Sequence, residues 1–245
     1  MSIVVPAYNE GEEIAPFLSR VAATVTLPFE LLVVVDTPED TTIPVVERFS
    51  STDDRIRCVI SSYGRGPAHA LRYGFDTAAA PTVVVTMADG SDDPRQIDEL
   101  TVLVERGVVV AAGSRYMAGG QQIGGPRLKR TLSRLAGNSL HLFAGIGTRD
   151  ATNSFKAYNA DFVRTVQIQS RDGFEIGLEL TAKARRARLP VAELPTIWLD
   201  RTAGASNFQL RKWIPKYLRW YFFAFGRPLA VADVADAARG TKGNR

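Results

Sequence analysis

The segment TVVVTMADGSDDP, residues 82–94, joins a run of β-branched residues to a cluster of small and acidic ones. A continuous apolar run that stops at turn residues predicts a strand over Thr82–Val85, in a sheet that is covered on both faces. The acidic cluster then follows the carboxyl end of this strand. Open α/β sheets bind their ligands at such strand ends, so the segment is a candidate ligand site.

The acids of this segment support two interpretations. Asp89, Asp92 and Asp93 carry hard oxygen ligands, which Mg²⁺ or Mn²⁺ accepts together with the phosphates of a substrate. Alternatively, the segment is a solvated acidic turn that caps a helix at residues 94–106, with Pro94 in its first position. The segment by itself does not decide between them.

The sequence before this segment alternates between strand and helix patterns. Short apolar runs predict strands at residues 2–6, 30–35 and 57–61, and helical patterns follow at residues 12–24, 42–49 and 68–79. Such an alternation predicts an α/β fold, in which a mostly parallel central sheet with right-handed crossovers is flanked by helices.

Three of the predicted strands are followed by an acid or an acid-bearing turn, at Glu10, Asp36 and Asp89. In a parallel sheet all such ends lie along one edge, so these carboxylates should converge. Convergence of negative charge is costly unless a cation or a basic ligand neutralises it. The pattern therefore favours a metal-assisted phosphate site over a simple helix cap.

Composition and length predict a folded chain with one large domain. The 245 residues include 45% hydrophobic and 23% charged ones, which is ordinary for a globular protein. The lone Cys58 allows neither an internal disulfide nor a cysteine zinc site, which fits a reducing, cytoplasmic compartment. No signal peptide and no run of about 18 apolar residues is visible, so neither secretion nor a membrane span is expected.

Charge is distributed unevenly along the chain. Residues 183–245 contain 13 Lys and Arg against 4 acids, whereas residues 1–182 contain 17 against 22. A basic tail on a mildly acidic body predicts a polyanionic partner such as membrane phospholipid, nucleic acid or a phosphorylated substrate. Nucleic acid is not expected, because no recognition motif for it is present.

Aromatic and basic residues interleave in the segment 211–227, RKWIPKYLRWYFFAFGR. Helical spacing gathers aromatics such as Trp213, Trp220 and Phe223 on one side with cations at its border, which is typical of a helix at a membrane surface. The alternative is a helix that packs on its own domain or on a partner subunit. The last residues, 239–245, are expected to be disordered.

Five motifs carry a resemblance to a known family: VVPAYNE at 4–10, VVVD at 33–36, RGPAHALRYGF at 65–75, MADGSDDP at 87–94 and GSRY at 113–116. In this order and spacing they resemble a family 2 glycosyltransferase of the GT-A fold, in the branch of dolichyl-phosphate mannose synthase-like or polyprenyl-phosphate glycosyltransferases. The resemblance covers about residues 1–210, so it implies a GT-A domain at 1–210 followed by a basic, aromatic helix and tail at 211–245.

The resemblance implies an inverting transfer of a sugar from a GDP- or UDP-sugar to a polyprenyl or dolichyl phosphate. Mg²⁺ or Mn²⁺ would assist it, and the enzyme would be peripheral on the inner face of the membrane. Two alternatives stay open. One is a family 2 transferase with a glycan or protein acceptor, and the other is a catalytically weakened relative that binds nucleotide sugars.

The same resemblance assigns roles to residues. Its catalytic candidates are Asp89, Arg115 and Asp150, and its substrate-binding candidates are Pro6, Tyr8, Glu10, Asp36, Ala88, Arg130, Arg201 and Ser206. Arg115 should face the diphosphate, or alternatively pair with a nearby acid on the surface. Asp150 should face the acceptor, where a lipid phosphate is already ionised and needs orientation rather than deprotonation. Its alternative role is to cap the following turn.

The chain departs from the family pattern at three positions. Met87 stands where the first acid of the central motif is usual, Ser154 where glycine is usual, and Asn207 where lysine is usual. A thioether is a poor ligand for a hard cation. Asp89 is therefore the metal-ligand candidate, with the donor diphosphate, water, Asp92 or Asp93 supplying further oxygens.

Overall fold

The computed structural model describes residues 1–200 and 210–238, without the side chains of residues 210–213. Its strands are β1 (Ser2–Pro6), β2 (Glu30–Val35), β3 (Ile56–Ile60), β4 (Thr82–Val85), β5 (Val110–Ser114), β6 (Gln121–Ile123), β7 (Lys156–Asn159), β8 (Val191–Pro195) and β9 (Ile197–Leu199). Its α-helices are α1 (Ala15–Thr24), α2 (Ile43–Ser50), α3 (Pro67–Thr77), α4 (Ile97–Glu105), α5 (Arg127–Ser139), α6 (Ala160–Thr165), α7 (Glu175–Arg186), α8 (Leu210–Ala224) and α9 (Val231–Ala238).

Seven strands form the central sheet, in the order β3-β2-β1-β4-β7-β5-β8, and β6 pairs with β9 in a second small sheet. All pairings in the central sheet are parallel except those of β7, which runs antiparallel to both β4 and β5. The predicted α/β fold with a mostly parallel sheet is confirmed. The antiparallel strand β7 was not predicted.

The apolar runs of the first two strands are buried on both faces, as their composition predicted. Along β1, Ile3 and Val5 point into a core cluster with residues of α1, α2 and α4, whereas Val4 points into a second cluster with residues of α3, α6 and α7. Helix α3 approaches β1 closely at Gly74, where a Cβ atom would collide with the side chain of Val4. The sheet is thus the middle layer of three.

Helix α8 packs on α7 through a third apolar cluster. Trp220, only 2% exposed, lies in this cluster with Ala224, and the Trp220 Nε1–H donates to Ser170 Oγ at 3.1 Å. Phe223 packs against the same cluster. The prediction that Trp220 and Phe223 face a membrane is therefore wrong, because they anchor α8 to the domain.

A different side of α8 remains open to solvent. Its exposed apolar residues are Ile214, Leu218 and Phe222, and the exposed Phe225 directly follows the helix. The Trp213 side chain and residues 239–245 lie outside the described residues, and the division of the chain at residue 210 stays a prediction. Within the described part of the chain, no helix is both long and apolar enough to cross a bilayer.

Candidate active site

The loop after β1 reaches solvent from a buried support. Pro6 is buried at the end of the strand, whereas the Tyr8 side chain is 66% exposed. Asn9 has a left-handed backbone (φ 53°), and its N–H donates to both carboxylate oxygens of Asp40, at 3.1 and 3.0 Å. Asp40 is buried and also accepts from the backbone N–H of Thr42 at 2.8 Å. This acid was not singled out from the sequence, yet it fixes the loop that presents Tyr8.

Asp36 lies at the carboxyl end of β2, as predicted. Its Oδ2 accepts a hydrogen bond from the backbone N–H of Gly66 at 2.8 Å, immediately before α3. Gly66 has φ 104°, a conformation that glycine adopts readily and other residues rarely. The loops after β1, β2 and β3 therefore meet at one edge of the sheet, and the half-buried Glu10 lies on the same edge.

The three acids after β4 have three different environments. Asp93 accepts from Arg95 N–H at 3.1 Å and pairs with the Arg95 guanidinium at 2.6 Å, so the capping interpretation holds for this residue. Asp92 is buried and accepts from Thr86 Oγ at 3.2 Å and from Met87 N–H at 3.4 Å. Asp89 is half-buried, and its Oδ1 accepts from Ser91 N–H at 3.1 Å. Among these acids, Asp89 combines solvent access with a position outside the cap.

The residues at this edge could bind a divalent cation only if the substrate supplied further oxygen ligands. No cluster of three or more His, Cys, Asp or Glu side chains able to hold a metal occurs among the described residues. Met87 contributes no oxygen, and Ala88 is buried. Asp89 is a hard oxygen donor, which suits Mg²⁺ or Mn²⁺ when a diphosphate and water complete the coordination.

Arg115 and Asp150 form a buried ion pair behind the same edge. Arg115 Nε donates to Asp150 Oδ2 at 2.6 Å and Nη2 donates to Oδ1 at 2.9 Å, while the Arg115 backbone N–H also donates to Oδ2 at 3.0 Å. The Asp150 side chain is 0% exposed and that of Arg115 is 12% exposed. Arg115 directly follows β5. The Asp150 side chain is closed to solvent in this arrangement, and its expected position facing the acceptor stays a prediction. Its carboxylate is fully engaged in fixing the guanidinium.

Burial and neighbouring charges shift the pKa values of the ionisable groups in and around this pair. Burial alone would lower the pKa of Arg115, but the carboxylate of Asp150 outweighs burial and the pKa is raised, so the guanidinium stays charged. Burial lowers the pKa of Lys156 to about 7, against the opposing effect of Asp150. The Lys156 Nζ donates to the carbonyl oxygens of Ala151 and Asn153 and thereby supports the turn that follows Asp150. Lys156 was missed from the sequence, where a lysine in a short strand gives no sign of burial.

Helix α5 packs directly against this turn. Ser133 Oγ is 2.7 Å from Thr152 Oγ1, and a Cβ atom at Gly137 would collide with the carbonyl of Arg149. Burial raises the pKa of Tyr116, and the charges of Arg115 and of the half-buried Arg130 on α5 oppose this shift. The Tyr116 ring lies 5.1 Å from the Arg115 guanidinium carbon. The structure thus brings Arg115 and Arg130 to one corner. Arg201 and Ser206 lie outside the described residues.

The buried Asp92 gives a prediction for the pH dependence of stability. Burial, followed by the negative charge of Asp89, raises the pKa of Asp92 from 3.8 to about 7. Between these values the unfolded chain is ionised while the folded chain keeps the proton, so the wild type loses stability as pH rises, by at most about 1.4 kcal/mol per pH unit. Relative to Asp92→Asn, the free energy of unfolding should therefore fall from pH 4 to 7 and level off above it. Urea titrations of both proteins with EDTA present measure this difference, and parallel pH profiles would contradict the prediction.

Comparison with known proteins identifies relatives over most of the chain. A model of "Glycosyl transferase family 2" matches residues 2–166. The polyprenol monophosphomannose synthase of Mycolicibacterium smegmatis is 27% identical over 227 residues, which cover 89% of this chain and 85% of that protein. The dolichol-phosphate mannosyltransferase of Pyrococcus furiosus is 28% identical over 222 residues, which cover 89% of this chain and 62% of that protein.

Solved structures share the fold at lower sequence identity. Glucosyl-3-phosphoglycerate synthase of Mycobacterium tuberculosis, crystallised with Mn²⁺, UDP and glucosyl-3-phosphoglycerate, superposes with a TM-score of 0.64 at 16% identity, covering 93% of this chain and 80% of that chain. The mannosyltransferase PcManGT of Pyrobaculum calidifontis, in complex with GDP-Man and Mn²⁺, also gives a TM-score of 0.64, at 17% identity, covering 100% of this chain and 76% of that chain. These likenesses confirm the GT-A fold, and the family match over residues 2–166 shows that the chain belongs to glycosyl transferase family 2.

Proposed function

We propose that this chain transfers a sugar from a nucleotide-sugar donor to a polyprenyl-type lipid phosphate, with inversion at the anomeric carbon, at the surface of a membrane. Family membership supports the transferase activity. The relatives named as polyprenol-phosphate and dolichol-phosphate mannosyltransferases support the acceptor class.

The observation that carries the proposal is the engagement of Asp150 by Arg115. A hydroxyl acceptor has to lose a proton as it attacks, so it needs a general base near the reacting oxygen. Asp150, the acid expected to face the acceptor, is fully buried and makes three hydrogen bonds with Arg115. This corner therefore offers an acceptor a fixed cation rather than a base, which suits a phosphate that is already ionised at neutral pH.

The donor is proposed to lie along the edge formed by the loops after β1, β2 and β4. The exposed ring of Tyr8 is suited to stacking on a nucleobase, and Glu10 and Asp36 can accept hydrogen bonds from the base or the ribose. Asp89 would hold Mg²⁺ or Mn²⁺, which neutralises the diphosphate when bound. Arg115 would face the same diphosphate.

In the proposed reaction, an oxygen of the lipid phosphate forms a bond to the anomeric carbon while the bond to the donor diphosphate breaks on the opposite face. No proton has to be removed from the acceptor. Arg115 and Arg130 would hold the negatively charged groups in line, because a guanidinium matches phosphate oxygens in a fixed fork. We extend this role to Arg201 and Ser206, in the segment that follows β9, on the family resemblance alone.

Exposed apolar side chains on two neighbouring segments beside this corner support the lipid acceptor. We name this set the docking surface, and its exposed residues are Leu128, Leu132, Leu135, Leu142, Phe143, Ile214, Leu218, Phe222 and Phe225. The leucines form one stripe along α5 and the segment after it, and the α8 residues form a second stripe. Ser139 Oγ and Tyr221 Oη, 2.9 Å apart, join the two helices.

The size and setting of the docking surface fit a membrane. Soluble monomers rarely expose so many large apolar side chains together unless the patch is a site of interaction. The exposed cations Arg127 and Arg134 lie on α5 at one side of this stripe of leucines. Apolar side chains bordered by cations are typical of surfaces that rest on anionic phospholipid, so we place the protein peripherally on the inner, cytoplasmic face of the membrane.

The role of Asp89 is tested by calorimetry with GDP-, UDP- and dTDP-sugars, with and without Mn²⁺. We expect Asp89→Ala to weaken Mn²⁺-dependent donor binding by at least about tenfold and to lower turnover, because it removes the protein ligand of the metal. Met87→Asp should keep or strengthen metal-dependent binding. Asp93→Ala is the matched control, since Asp93 is engaged with Arg95. Equal Mn²⁺-dependent affinity in wild type and Asp89→Ala would exclude the metal role.

A further inference from the structure

An open cavity lies on the flank of the domain, between α3 and the chain from α6 to Arg171. Its volume is about 490 Å³, within the range of about 300–1,000 Å³ that small-molecule sites occupy. We name it the arginine groove, because Arg72, Arg164 and Arg171 line it around a floor of Phe75, Val163 and Ile168. Arg72 is on α3 more than one turn beyond Gly66, so the groove lies apart from the strand ends that form the candidate active site.

Positive charge exceeds negative charge in the arginine groove, which is lined by three arginines and one acid, Asp76. Neither Arg72 nor Arg171 has a carboxylate partner among the residues that the structure describes. Arg164 uses Nη2 to donate to the carbonyl of Ala78 at 2.6 Å, so its other N–H groups can donate to a ligand. The acid that lines the groove, Asp76, accepts from Tyr63 Oη at 2.9 Å. Guanidinium groups in this state are suited to binding phosphate or carboxylate oxygens.

The wall of the groove is held in a fixed shape. Gln167 has a left-handed backbone (φ 47°), which is uncommon for a residue other than glycine. Its carbonyl accepts from the buried Lys183 Nζ at 2.8 Å, and Lys183 pairs with Glu179 at 2.6 Å. Glu179 in turn accepts from the backbone N–H groups of Gln169 and Ser170, both at 2.7 Å. Such a buried network fixes an unfavourable backbone conformation, which tends to persist where shape matters for function.

We infer that the arginine groove is a binding site for a small phosphorylated molecule with an apolar portion, separate from the donor and acceptor positions. The three guanidiniums would bind the phosphate, and the apolar floor would cover the rest of the ligand. The phosphate could belong to a free metabolite or to a lipid headgroup, and both carry the chemistry that the groove recognises.

The position of the groove connects this ligand with both parts of the proposed function. The carbonyl of Asp172, just beyond the groove wall, lies 3.4 Å from where a Cβ atom at Gly66 would be, and Gly66 binds Asp36. On the other side, Ser170 accepts from Trp220, which anchors α8. A ligand that orders the wall would therefore act on the segment between the donor loops and the docking helix.

The test is hydrogen–deuterium exchange with two probes, inorganic pyrophosphate and water-soluble dihexanoyl phosphatidic acid, each at millimolar concentration. Protection of peptides covering residues 72–76 and 163–171 is expected in the wild type. It should persist in Asp89→Ala, in which metal-dependent binding at the donor edge is removed. The probe that protects at the lower concentration identifies the source of the phosphate.

Two variants make the result specific. Arg72→Gln with Arg171→Gln should raise the concentration needed for protection by at least about tenfold, because two charged hydrogen-bonding groups are lost. Arg106→Gln with Arg188→Gln removes two exposed arginines elsewhere and should leave protection unchanged. The inference would be overturned if neither probe gave protection. It would also be overturned if the variant with Arg72→Gln and Arg171→Gln were protected at the same probe concentration as the wild type. Because this experiment measures protection and not turnover, a negative result would not bear on the proposed transferase function.

Discussion

Asp150→Asn is expected to destabilise the fold by roughly 3–5 kcal/mol and to lower turnover about tenfold to hundredfold. The substitution keeps the shape of the side chain but removes the charge that balances Arg115, which is 12% exposed. An unpaired guanidinium in that position is costly, so Arg115 should leave its place or draw water into the site. Urea unfolding measures the first effect, and steady-state assays with a lipid phosphate acceptor measure the second.

The chain contains a matched control for this variant. Arg95 binds Asp93 through the same Nε and Nη2 groups, at 3.0 and 2.6 Å, but its side chain is 75% exposed. Asp93→Asn should therefore change stability by less than about 1 kcal/mol, since exposed ion pairs contribute little and asparagine also caps a helix well.

The two effects of Asp150→Asn together distinguish a positioning residue from a base. A positioning role predicts that stability and turnover fall together and that Arg115→Gln resembles Asp150→Asn. If Asp150→Asn abolished turnover while stability and Arg115→Gln activity stayed at the wild-type level, Asp150 would be a general base. The acceptor would then be a hydroxyl group of a glycan or a protein rather than a lipid phosphate.

Strand positions along the sheet could be predicted because the local pattern determines them. The apolar runs of β1, β2 and β4 are buried on both faces, and an all-apolar run is the pattern that such burial requires. Strand β7 could not be predicted in the same way. It has four residues, KAYN, including the buried Lys156, and its place between β4 and β5 depends on pairing with two distant strands.

The pairing of side chains in the site could not be predicted, because it depends on contacts between residues that are far apart in the sequence. Arg115 and Asp150 are 35 positions apart, and their pairing arises because the loops after β5 and before β7 meet. Local sequence likewise does not distinguish Asp89, Asp92 and Asp93, which the fold makes half-buried, buried and capping, respectively. The edge of the sheet at which these acids gather was predictable, whereas the environment of each individual acid was not.

Periodicity did not predict which side of α8 packs on the domain, because this helix has two apolar sides. One contains Trp220 and Ala224 and packs on the domain, and the other contains Leu218 and Phe222 and remains exposed. A pattern of aromatic residues indicates that a helix has apolar sides but does not indicate which of two sides meets its own core. The basic and aromatic character of this segment still supports a membrane partner, through residues other than the predicted tryptophan.

Phe143→Ser combined with Phe222→Ser is expected to lower binding to anionic lipid vesicles by about 100-fold or more. Phe143 and Phe222 are 77% and 66% exposed, on the segment after α5 and on α8. Burial of each phenyl ring contributes roughly 1.5–3 kcal/mol, so removing two of them has a large effect on partition. Because both side chains are exposed in the free protein, the fold should keep its stability. Sedimentation with vesicles and urea unfolding measure the two properties.

Two control variants separate membrane binding from folding. Ile60→Ser changes an exposed apolar residue on β3, at the opposite end of the sheet order from β8, and should leave vesicle binding unchanged. Trp220→Ser should instead destabilise the fold by about 3–5 kcal/mol, because it empties a buried position. A double phenylalanine variant that unfolds like Trp220→Ser would show that the docking surface is part of the core of a larger assembly.

Salt dependence tests whether charge and apolar burial act together at the docking surface. Each lysine or arginine near an anionic bilayer contributes on the order of 1 kcal/mol, and this part is screened as the Debye length falls to about 3 Å at 1 M salt. Apolar burial is not screened, so wild-type binding should weaken with salt but persist, whereas the double variant, which has lost two phenyl rings, should bind more weakly than wild type at every salt concentration. Turnover of a long-chain lipid phosphate should fall in parallel with vesicle binding, while nucleotide-sugar binding in solution stays unchanged. If turnover of the long-chain acceptor survived the loss of vesicle binding, the acceptor would reach Arg115 from solution and the docking surface would serve another partner.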